Sequence, residues 1–169
     1  MSPSPKAQDK ADKPHIIFVC TGNIFRSLSA EFGMRAADTR GDFTFASAGT
    51  NTHHARRLRS DVLGAIAAHD QIDAAGHISR VLNQDIVDGA DLIVAMDRDH
   101  QKYIRDTFNR HAPLYLEISR DLSEGVPDLP DIVPDYKTNP VAAAAFVNET
   151  VTRIMNERPA FLKNIRRYL

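Results

Sequence analysis

The sequence predicts a single α/β domain built on a four-stranded parallel sheet with helices on both faces. Four short, largely apolar runs, HIIFVC and the similar FTFAS, DLIVAM and APLYLE, have the pattern of strands buried on both sides. Segments of helical periodicity separate them, and strand–helix alternation folds as a parallel sheet with right-handed crossovers. The chain has 169 residues, 43% of them hydrophobic, enough for one core and too few for two full domains.

Taken in order, residues 1–14 are polar, aperiodic and rich in proline, and predict a mobile tail ahead of a domain over residues 15–169. The first strand, HIIFVC, ends at Cys20 and leads into a helix whose Leu28 and Phe32 lie one turn apart. After FTFAS, Val62, Leu63 and Ile66 share one face of a helix that Ser60 can cap. After DLIVAM, Asp97 can cap a helix with an inward stripe of Tyr103, Ile104 and Phe108. Asn139 followed by Pro140 reads as the cap and first turn of a last helix running past Val147, Val151 and Ile154, which Pro159 should interrupt.

Lysine and arginine number 21 against 22 aspartates and glutamates, so the charge balance favours neither nucleic acid nor an anionic membrane surface. No apolar stretch approaches the length of a bilayer span, and the N-terminus lacks the apolar middle of a secretory signal. The expected setting is cytoplasmic. The lone cysteine cannot form an internal disulfide and is left for chemistry or for burial.

Ligands of parallel sheets bind beyond the carboxyl ends of the strands, where Cys20 falls. The segment Cys20-Thr21-Gly22-Asn23-Ile24-Phe25-Arg26-Ser27 then reads as an anion cradle. Gly22 and Asn23 can enter backbone conformations closed to most residues, so a tight loop can gather amide hydrogens at the positive end of the following helix. A phosphate fits such a loop, Arg26 can grip two of its oxygens, and the same field favours a thiolate at Cys20. Ser27 can hydrogen-bond that sulfur. Burial of an unreactive cysteine is the ordinary alternative, but strand end, spacing, loop residues and following helix coincide here. There is no lysine of the nucleotide-binding P-loop kind, so ATP is not the expected ligand.

A nucleophilic phosphoryl transfer without metal also needs a carboxylic acid for the leaving group. The aperiodic connection at residues 118–139 holds three Pro-Asp pairs, at Asp128, Asp131 and Asp135, at least two of which should only start turns. Tyr136 could pack on a substrate ring. His53 and His54 are wall residues or solvent-exposed side chains, and Arg56 to Arg59 a solvated helix start or a patch for acidic peptides.

At this point the sequence resembles the low-molecular-weight protein tyrosine phosphatases. It carries their Cys, five residues, Arg, Ser signature after the first strand, and SAGT at residues 47–50, AAGHISRVL around His77 and ADLIVAMDRDH follow in the family's order. The resemblance implies a cysteinyl-phosphate intermediate and an aspartate acid on a late loop. It also implies that Ser47 and His77 hold Asn23 in strained geometry. By the spacing to Phe146 and the order valine, proline, aspartate, aromatic, it favours Asp135 as the acid, with Asp131 next and Asp128 last. In the loop, Phe25 replaces a second cysteine that many members carry, and Leu28 replaces a proline. The expected activity is cofactor-free and metal-free hydrolysis of aryl phosphates, phosphotyrosine in proteins first among them, with phosphate, sulfate or vanadate as ligands. Arsenate reduction on the same scaffold, for which further cysteines would be needed, and a catalytically inactive module that binds phosphate or phosphotyrosine are the rivals.

Overall fold

The computed structural model describes residues 12–53 and 57–169. The expected tail falls largely outside these residues, as do His54 and Arg56. Three strands, β1 (His15–Cys20), β2 (Thr44–Gly49) and β3 (Leu92–Ala95), form a parallel sheet in the order β2-β1-β3. Successive side chains of β1 serve opposite faces, as strand pleating requires. Ile16, Phe18 and Cys20 join a core with Met34, Tyr115 and Phe161, whereas Ile17 and Val19 join one with Val87, Ile104 and Leu114.

The first of these faces is covered by α1 (Arg26–Ala37), α5 (Tyr115–Arg120), α7 (Pro140–Asn156) and α8 (Arg158–Asn164). On the other lie α3 (Gln84–Asp88) and α4 (Arg98–Phe108). Outside the sheet, α2 (Ser60–Ala67) packs Val62 and Ile66 with Leu28 of α1 and Val151 of α7. The short α6 (Leu129–Ile132) rides on the same cluster through Leu129.

The expected fourth strand, APLYLE, is a correction. It makes a single parallel bridge, Ala95 to Leu114, before the chain turns into α5. The Leu114 amide donates to the Glu117 carboxylate (3.1 Å) and Tyr115 donates its hydroxyl to the Ile154 carbonyl (2.7 Å), and both bonds suit a helix start. The interruption at Pro159 is present: α7 ends at Asn156 and the proline sits in the first turn of α8. No helix among the described residues is long and apolar enough to cross a membrane.

Candidate active site

Cys20 is the last residue of β1 and Arg26 the first of α1, so residues 21–25 must reverse direction within one tight loop. Asn23 takes the left-handed conformation at its centre, φ 58°. That costs a non-glycine residue roughly 1–2 kcal/mol, and its surroundings supply the compensation. Asn23 Nδ2 donates to Ser47 Oγ (2.8 Å) and Ser27 Oγ (2.9 Å), and its Oδ1 accepts from the Arg80 amide (3.1 Å). His77 donates from Nε2 to the Asn23 carbonyl at 2.8 Å. Behind Ser47, whose hydroxyl donates to Glu31, the carboxylate also pairs with Arg35 at 2.5 Å. The expected roles of Ser47 and His77 thus have a geometric counterpart. Glu31 and Arg80 had no signal in the local sequence.

The sheet imposes a further condition. Gly49 stands opposite Cys20, and a Cβ there would lie 2.5 Å from the Thr21 carbonyl oxygen. Only glycine lets β2 pass so close under the loop.

Cys20 is almost fully buried, and its Sγ shares a hydrogen bond with Ser27 Oγ at 2.9 Å. Arg26 is also buried. Its Nη1 donates to the Val126 carbonyl (2.8 Å) and its Nη2 pairs with Asp128 Oδ2 (3.1 Å), with Asp97 Oδ2 at 3.8 Å from Nη1. Arg26 Nε is buried with no hydrogen-bond partner among the described residues. A buried donor left unmatched costs about 1–3 kcal/mol, and this one belongs to the side chain expected to grip an oxyanion.

On the other side of the loop, His100 joins α4 to Thr21. The Asp97 amide donates to His100 Nδ1 at 3.0 Å, so in the neutral ring Nε2 carries the proton and donates to Thr21 Oγ1 at 2.9 Å. Burial first and the Arg26 charge second push the His100 pKa down to about 3. This neutral histidine was signalled only by its place in the MDRDH segment, and sequence reasoning passed over it.

These elements enclose a cavity of about 240 Å³ lined by Cys20, Thr21, Gly22, Arg26 and Asp128, by the apolar Ile24, Phe25, Leu129 and Pro130, and by Asn51, Arg59 and Tyr136. Tyr136 lies under the Arg59 guanidinium, 5.7 Å from ring centre to carbon, while Arg59 is paired with Asp61 at 2.7 Å. Phe25 meets Phe146 of α7 edge to face, at 6.3 Å. Neither His53 nor Asp135 is among the lining residues. Asp135, expected over the pocket, is exposed and accepts from Asn139 Nδ2 at 3.2 Å beside the cap of α7. Asp131 is also exposed and accepts from the Asp128 amide at 3.3 Å. Of the three aspartates, Asp128 is the one brought to Arg26. Among the described residues no group of three or more His, Cys, Asp or Glu side chains is placed to hold a metal ion.

The molecule is thus an α/β protein whose parallel sheet ends in a loop that joins a cysteine to an arginine paired with a carboxylate. The family model described as low molecular weight phosphotyrosine protein phosphatase matches residues 15–167, and the chain belongs to that family. It is similar to the protein-arginine-phosphatase of Bacillus subtilis, 31% identical over 96 residues covering 57% of this chain and 64% of that protein. It is also similar to arsenate reductase 1 of Staphylococcus saprophyticus, 33% identical over 88 residues, 52% of this chain and 63% of the other. The matched stretches thus span less than two thirds of either curated relative. The low molecular weight protein tyrosine phosphatase of T. tengcongensis superposes with a TM-score of 0.75 at 22% identity, covering 89% of this chain and 99% of that one, which is a likeness of fold.

Proposed function

We propose that the chain is a cytosolic, cysteine-dependent phosphatase of aryl phosphomonoesters, with phosphotyrosine in proteins as the substrate class. The observation that carries this reading is the unpartnered, buried Nε of Arg26 in a loop that also holds Cys20 and lines a pocket with apolar walls. Three phosphoryl oxygens would meet the loop amides and the spare Arg26 donor, and the aryl ring would lie between Phe25, Leu129 and Tyr136.

In the first step the Cys20 thiolate attacks phosphorus, the bond from phosphorus to the phenolic oxygen breaks, and Asp128 gives its proton to the leaving oxygen. In the second step Asp128 takes a proton from water as the water oxygen attacks phosphorus and the bond to sulfur breaks. Inorganic phosphate leaves and the thiolate is restored. What supports Asp128 over Asp135 is its 3.1 Å approach to Arg26 and its place in the pocket lining.

With a single cysteine, reduction of arsenate would require a thiol from another molecule to resolve the intermediate, so hydrolysis is the better reading. The test is turnover of a nitrophenyl phosphate by the wild type and by Cys20→Ser. Phosphate release by the wild type, with loss of turnover but retained vanadate binding in the variant, is the expected result. A variant keeping a tenth or more of the activity would refute the covalent mechanism.

A further inference from the structure

We propose that Gly125 is the positioning residue for the acid: its lack of a side chain lets the connection cross the start of α4 in contact with Asp97, and that crossing sets where Asp128 stands against Arg26. A Cβ at Gly125 would lie 2.0 Å from Asp97 Oδ1, 2.5 Å from its Cγ and 2.9 Å from its Cα. Real Cβ atoms do not approach so closely, and the backbone Cα cannot be rotated away.

Asp97 has no freedom to retreat. Its Oδ1 accepts from the Arg98 amide at 2.7 Å as the cap of α4, and its own amide donates to His100 Nδ1 at 3.0 Å. The connection is pinned just as closely on the next residue. The Val126 amide donates to the Met96 carbonyl at 2.7 Å and the Val126 carbonyl accepts from Arg26 Nη1 at 2.8 Å, before Asp128 meets Nη2. Upstream, Arg98 Nη2 donates to the Ser123 carbonyl at 2.5 Å. A side chain at position 125 would therefore push the connection off α4, and with it either the Val126 bonds or the Asp128 contact. Nothing in the local conformation demands glycine here: among the described glycines only Gly41 has positive φ. The requirement comes from the crossing.

The inference rests on Asp128 as the proton donor. A displaced acid hurts most where the leaving group is poor, and a misplacement of about 1 Å can cost about 10²-fold. The experiment measures kcat for phenyl phosphate and for a nitrophenyl phosphate with Gly125→Ala, Arg98→Ala and Asp128→Asn. Gly64→Ala serves as the control, because a Cβ there meets nothing within 4 Å. The expected outcome is a loss of about ten-fold or more on phenyl phosphate with Gly125→Ala, a much smaller loss on the nitrophenyl ester, and no change with Gly64→Ala. Arg98 is exposed, so Arg98→Ala tests the same strap without threatening the core, and should give the same leaving-group bias at smaller size. Equal losses on both esters with Gly125→Ala, or none, overturn the proposal, as does an unbiased Arg98→Ala if Gly125→Ala fails to fold. If Asp128→Asn itself shows no bias, the acid assignment is what has failed, and the role of Gly125 falls with it.

Discussion

The back and the front of the loop between Cys20 and Arg26 are built differently. Behind it, Asn23, Ser27 and Ser47 are buried and tied to one another and to Glu31, His77 and Arg80 by direct hydrogen bonds. In front, the connection that brings Asp128 crosses the molecule half exposed and is held by the Val126 bonds, the Arg98 contact and the close passage of Gly125 over Asp97. The back must hold one shape whatever ester is bound. In the proposed mechanism the front delivers a proton, and its contribution then depends on the ester. Arg26 belongs to both, since it closes the loop at the start of α1 and reaches Val126 and Asp128.

The largest effect common to both kinds of ester should come from that shared residue. Arg26→Lys replaces a planar fork by a single ammonium that cannot reach Val126, Asp128 and a phosphate together. We expect turnover to fall by about 10²- to 10³-fold for esters of good and poor leaving groups alike, the range for removing one preorganised donor. Steady-state kinetics on both esters check this, and near-normal rates with either would contradict the cradle.

Breaking the back alone should be milder and blind to the leaving group. Asn23→Ala leaves an alanine at φ 58° and removes the bonds to Ser27 and Ser47. Vanadate affinity and thermal stability should fall together, with destabilisation of about 2–3 kcal/mol from strain and lost hydrogen bonds. A variant with intact vanadate binding, measured by titration, would show that the rear network does not shape the loop.

A further effect, absent at neutral pH, appears on acidification. Burial and Arg26 hold the His100 pKa near 3, well below its unfolded value near 6.5. The folded protein therefore binds fewer protons at this site than the unfolded chain between those two values. The stability His100 confers is complete above about pH 6.5 and declines as pH falls toward 3, at most by about 1.4 kcal/mol per pH unit. Urea denaturation of the wild type and His100→Asn across that window should show a shallower decline in the variant. Parallel curves would mean that His100 protonates freely in the fold.

The back of the loop was legible because its residues are local and chemically particular: a cysteine at a strand end, Gly22 and Asn23 in the turn, Arg26 and Ser27 opening a helix. The family resemblance added Ser47 and His77. Which carboxylate meets Arg26 was harder to read, since Asp128, Asp131 and Asp135 share the same Pro-Asp signature. Tethering from α7 favours Asp135, but the connection is anchored at its other end, on Met96 and Arg26 through Val126, and from that anchor Asp128 is the first aspartate within reach. No local pattern encodes a crossing between residues 97 and 125. The fourth strand misled for a related reason: APLYLE is apolar enough for a strand, yet Glu117 and the Tyr115 hydroxyl find better partners when Tyr115–Arg120 is helical.

The difference between back and front is tested most directly by the leaving-group dependence of Asp128→Asn set beside Asp135→Asn. With phenyl phosphate, Asp128→Asn should lower kcat by about 10²- to 10⁴-fold, the usual contribution of a general acid, and with a strongly acidic phenol as leaving group the loss should shrink sharply. Asp135→Asn should change both esters little and equally. If the bias appears with Asp135→Asn and not with Asp128→Asn, the contact of Asp128 with Arg26 is structural only and the acid is delivered from elsewhere in the connection.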